Sequence, residues 1–136
     1  MARFPFNQPE KTKDCGYRCL YYGLDLVIPY EQWLLRFEIF NPVAKGITFS
    51  DICTVFEYYK RDYKFTQLTE SGLFIIYSGS WLKHGHYFCY DNGIVLCSTK
   101  SEPERIPLDK VVERLEAKSV EGAFRCLQVL GKVVTT

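Results

Sequence analysis

Three side chains in this sequence could together break an acyl bond: Cys15 in Asp14-Cys15-Gly16, His86 in Gly85-His86-Tyr87, and Gln8. A cysteine attacks as its thiolate, and a free thiol is mostly protonated at neutral pH, so a reactive one needs a stabilised anion or a base that takes its proton. Cys15 follows Asp14, a good helix-starting residue, and is expected in the first turn of a helix. There, unpaired backbone N–H groups and the positive end of the helix dipole favour negative charge. Cys19 lies one turn deeper and reads as a small core residue. The chain has two histidines, His84 and His86. His86 opens an apolar run and is the candidate base, whereas His84 falls in the loop ahead of it. The Gln8 side-chain amide, beside the backbone N–H of Cys15, could donate to an oxyanion.

The elements that must position these residues follow from hydrophobic period. Cys15, Cys19 and Tyr22 share helical spacing behind Asp14, which predicts a first helix. Tyr30, Trp33, Leu34 and Phe37 predict a second, stopped by Asn41-Pro42. Phe49, Ile52, Cys53 and Phe56 predict a third, with Thr48 as its cap and Asp51 completing a weak capping box. Beyond Asp62 the period changes. "YKFTQL" alternates, "LFIIY" is a short buried run, and "HYFCY" and "IVLCST" flank the turn signal "DNG", so four strands are expected, the last two as an antiparallel hairpin. Leu108, Val111, Val112 and Leu115 predict one more helix, and "AFRCLQVL" a closing strand. The class is α+β, with helices packed on one antiparallel sheet and a single domain over 1–136.

Gln8, the "DCG" at 14–16 and the later "GHYFCYDNGIVLCS" resemble the C39-like cysteine peptidases of the papain-like superfamily. "IPYEQW" is similar to that family's second helix, and "KGITFSDICTVFEYY" to the short helix that follows. The cysteine precedes the histidine, the papain-like order. The resemblance implies a papain-like fold in which Cys15 is the nucleophile, His86 the general base and acid, and Gln8 the oxyanion donor. It also implies a protein or peptide substrate, with cleavage after small residues such as Gly-Gly. In the family the glutamine usually lies six residues before the cysteine, whereas Gln8 lies seven before Cys15, and that makes Asn7 a rival donor. It has Asp or Asn on the strand after the histidine, where this chain reads "VLCST". A two-residue Asn92-Gly93 turn puts Cys97 on the His86 side of the sheet, while a one-residue bulge would bring Ser98 there instead. Either could be the third member of the site.

Composition narrows the class. The 136 residues carry 17 basic and 16 acidic side chains, a net charge of +1 with no long run of either sign, so no nucleic acid or anionic membrane partner is indicated. The N-terminus lacks an apolar signal segment, and no window is long enough to span a bilayer, which points to a cytoplasmic protein; the family resemblance implies a freestanding one, bacterial or phage-borne. In that compartment the six cysteines, at 15, 19, 53, 89, 97 and 126, are expected as thiols. No cofactor is implied. Metal ligation by His84, His86, Cys89 and Cys97 is disfavoured, because Cys89 and His86 point to opposite faces of one strand. The alternative to a peptidase is a protease-fold binding or effector protein, weak or inactive as an enzyme, that inhibits a partner.

Overall fold

The computed structural model describes residues 3–9, 12–38, 46–78, 86–118 and 124–132. His84 lies outside them.

Helix α1 (Cys15–Leu24) is buried nearly all round, which its two glycines permit. A Cβ on Gly16 would collide with Ile47 and press on the Tyr87 ring, and one on Gly23 would crowd Phe56. Both positions let the helix sit closer to its neighbours than any side chain would allow. Asp25, with φ of 53°, ends the helix in the left-handed conformation, and its N–H donates to the Tyr22 carbonyl. Helix α2 (Tyr30–Glu38) follows Pro29, and Trp33 and Tyr30 point inward as their spacing requires. Helix α3 (Phe49–Tyr58) opens on the expected capping box. The Thr48 hydroxyl accepts from the Asp51 N–H at 3.1 Å, and the Asp51 carboxylate accepts from the Thr48 N–H at 3.4 Å.

The strands are β1 (Arg61–Phe65), β2 (Leu73–Ser78), β3 (His86–Asp91), β4 (Ile94–Leu96) and β5 (Glu104–Arg105); after α4 (Leu108–Lys118) comes β6 (Phe124–Lys132). They form one antiparallel sheet in the order β1-β6-β2-β3-β4-β5. Chain neighbours β3 and β4 form the expected hairpin. Asn92 and Gly93 both have positive φ, 49° and 88°, as a two-residue turn of the primed kind demands. The register pairs Asp91 with Ile94 and Cys89 with Leu96. Strand β4 is shorter than the run Ile94–Thr99 suggested, and the two-residue β5 has no counterpart in the sequence reading.

Alternation along the strands divides the core in two. On one face Ile75, Tyr87, Cys89, Leu96 and Leu127 pack under α1, α2 and α3. On the other, Phe74, Ile76, Phe88, Tyr90, Val95 and Cys97 pack with Val111 and Leu115 of α4. Each large side chain so enclosed contributes about 1.5–3 kcal/mol relative to exposure. Among the described residues no helix is long and apolar enough to cross a membrane.

Candidate active site

Cys15 is the first residue of α1 and is half-buried. Asp14 stands at the N-cap, yet its side chain makes no capping bond. Its Oδ2 instead accepts from Arg18 Nε at 2.9 Å and from the Tyr30 hydroxyl at 2.7 Å. Its Oδ1 is buried with no hydrogen-bond partner among the described residues. Burial opposes ionisation of this carboxyl, but the bond from Tyr30 and the charge of Arg18 outweigh it, so its pKa is lowered. Arg18 is itself buried. From Nη1 it donates to the carbonyls of Pro5 at 3.1 Å and Phe6 at 3.3 Å, and its guanidinium lies 4.8 Å from the Tyr30 ring centre.

Arg18 therefore anchors the segment that carries Gln8. Asn7 turns the chain with a φ of 60°, and its N–H donates to the Lys100 carbonyl at 2.9 Å. The Gln8 N–H donates to the Ser98 carbonyl at 2.7 Å, and the Ser98 hydroxyl donates to Gln8 Oε1 at 2.6 Å. Gln8 Nε2 donates to the Thr12 carbonyl at 2.9 Å, which uses one of its two N–H groups. Asn7 is exposed and committed through its backbone to this turn.

His86, the first residue of β3, is 4% exposed. Its Nε2 lies 3.3 Å from Cys97 Sγ, and that sulfur lies 3.2 Å from the Thr99 hydroxyl. Cys97 is thus the residue beside the imidazole, on the face that the Asn92-Gly93 register assigned to it. Ser98 is turned to Gln8.

Cys15 meets β3 one residue further on. The backbone N–H groups of Tyr87, of Gly16 and of Cys15 itself lie near the Cys15 sulfur and favour its thiolate. Burial is the larger influence, the Asp14 charge adds to it, and the thiol pKa is raised. The N–H groups of the helix start do favour the anion, as expected, but desolvation at a half-buried sulfur exceeds what they return. Cys15 rests as a thiol. The Tyr87 side chain, its hydroxyl donating to the Ile47 carbonyl at 2.7 Å, forms the wall that Gly16 packs against.

The remaining thiols are core. Cys19 is fully buried and its pKa is pushed well up, first by burial and then by contact with Cys89. Burial alone pushes Cys126 up to about 12. All six cysteines are free. Among the described residues no three His, Cys, Asp or Glu side chains are grouped to hold a metal ion.

The fold thus brings Gln8, Ser98, Cys97 and His86 together along one end of β3 and β4, and sets Cys15 against the strand residue next to His86. Sequence reading missed Arg18 and Tyr30. The signal was there in Asp14 and Arg18, an acid and a base one helical turn apart. No protein-family model matches the chain, and no curated protein matches it either.

Proposed function

We propose that this protein is a cysteine peptidase of the C39-like, papain-like kind, acting by acyl transfer through Cys15. One observation carries the reading: the Cys15 sulfur lies close enough to the backbone N–H of Tyr87, the residue that directly follows His86, for that group to favour its thiolate. On this reading nucleophile and base share one strand end.

Because Cys15 rests protonated, attack and proton removal go together. His86 Nδ1, the ring nitrogen turned from Cys97, takes the proton as the sulfur adds to a peptide or isopeptide carbonyl. The carbonyl oxygen gains negative charge and is held by the Cys15 N–H and the second N–H of Gln8 Nε2. The imidazolium returns its proton to the leaving amine, and a thioester remains on Cys15. Water, deprotonated by the same imidazole, releases the acid and restores the thiol. Cys97 orients the ring, as a weaker hydrogen-bond partner than a carboxylate. Cleavage after small residues such as Gly-Gly is the substrate class that the family resemblance suggests.

The raised Cys15 pKa and the thiol beside His86 also favour a second reading, a protease-fold protein that binds and inhibits a partner. A peptidyl chloromethyl ketone ending in Gly-Gly separates the two. The peptidase reading expects alkylation of Cys15, located by peptide mass spectrometry, and its loss in His86→Ala. An unmodified Cys15, or equal modification in His86→Ala, would leave the binding protein as the better account.

A further inference from the structure

At the opposite end of α1 from Cys15, about 15 Å away by helix rise, the surface opens into an apolar groove of about 680 Å³. Its walls are Val27 and Tyr58, both strongly exposed, and its floor includes Trp33 and Val55. Its polar groups are mostly committed. The Tyr21 hydroxyl donates to the Ile28 carbonyl at 2.6 Å and fixes the turn that forms one wall, and Trp33 Nε1 donates to the Tyr59 hydroxyl at 3.1 Å. Among the described residues, Arg36 is the one charged side chain that lines the groove, and it makes no ion pair.

We infer that this groove binds a small amphipathic monoanion, a medium-chain fatty carboxylate, with its chain against Trp33 and Val55 and its head at Arg36. Volume and lining are those of small-molecule sites, which pair an apolar body with one or two orienting polar groups. An extended peptide fits less well. Its backbone N–H and C=O groups would be desolvated against an apolar lining that has few partners to offer, and each one left unpaired is costly. An alkyl chain carries no such groups. Charge complementarity sets the sign of the head, since a cation would meet Arg36 unfavourably and an alcohol would gain no charge attraction from it.

The inference is independent of the proposed peptidase activity. The test is displacement of the fluorescent aryl sulfonate 1-anilinonaphthalene-8-sulfonate by dodecanoate, dodecanol and dodecyltrimethylammonium, each below its micellar concentration, on protein that melts cooperatively. Dodecanoate should displace at the lowest concentration and the cation at the highest. In Arg36→Met, a change at an exposed site, dodecanoate should weaken about fivefold while dodecanol is unchanged. Val27→Asp should weaken dodecanoate and dodecanol together, and Cys15→Ala should alter none of the three. Equal displacement by all three amphiphiles, no displacement by dodecanoate, or indifference of dodecanoate to Arg36→Met would overturn it.

Discussion

Helices α1 and α3 are each ten residues long and lie on the same face of the sheet, but they begin in opposite ways. At α3 the Thr48 and Asp51 side chains close the N-terminus on itself, the usual stabilising solution. At α1 the cap residue Asp14 turns away to Arg18 and Tyr30, and the first-turn N–H groups face the Cys15 sulfur instead. A helix start whose donors are left for a reacting group forgoes a cap worth about 1 kcal/mol. The Asp14–Arg18–Tyr30 network compensates by fixing the Gln8 segment. The difference separates a helix end closed by its own side chains from one whose donors are left open at the Cys15 sulfur, where the proposed function needs them for an oxyanion.

The largest expected effect comes from breaking the α1 arrangement. Arg18→Met strands Asp14 as a buried carboxylate and releases the Pro5 and Phe6 carbonyls. It should cost about 3–5 kcal/mol in denaturant unfolding, as removal of one partner of a buried pair does, and should loosen residues 3–9 to proteolysis. A loss below 1 kcal/mol would show that the network does not hold the segment.

A graded loss is expected on the alkaline side. The folded pKa values of Cys15, Cys19, Cys53 and Cys126 all lie above the ordinary 9.0, chiefly through burial. The folded state therefore holds protons that the unfolded chain releases, and stability from these thiols is complete below pH 9.0 and falls as pH rises beyond it. Asp14 runs the other way: its folded pKa is lowered, so its contribution is present above the ordinary 3.8 and lost as pH falls below that. Thermal melts from pH 3 to 11 should show a plateau with both flanks falling. A Tm still rising above pH 10 would contradict the assignment.

The smallest effect belongs to α3. Thr48→Ala should cost about 0.5–2 kcal/mol and leave alkylation of Cys15 unchanged. A change in Cys15 reactivity would mean that the two helix ends are coupled.

Much of this was legible in the sequence because it rests on period. The three N-terminal helices, the Thr48–Asp51 box and the Asn92-Gly93 hairpin all follow from local residue types, and a two-residue turn is enough to put Cys97 on the His86 side of the sheet. What was not legible depends on tertiary choice. An amphipathic helix does not state which sheet face it covers, so α4 on the face opposite α1 was open. A two-residue edge strand such as β5 has no period to detect. Arg18 has no place in an apolar period, because its role is to neutralise Asp14 in the interior. The Cys15 pKa turned on burial, which no spacing reveals.

Cys53 in α3 is the natural control for Cys15, being likewise half-buried with a raised pKa but with Tyr63 and Glu57, rather than the backbone of β3, among the groups that influence it. The most direct test is the alkylation rate of the two thiols by iodoacetamide at neutral pH, resolved by peptide mass spectrometry in the native protein and in His86→Ala. If His86 assists Cys15, Cys15 reacts faster than Cys53 and slows to about the Cys53 rate in His86→Ala, while Cys53 is unaffected. A Cys15 that reacts no faster than Cys53, or at the same rate without His86, would contradict the claim that it is the nucleophile.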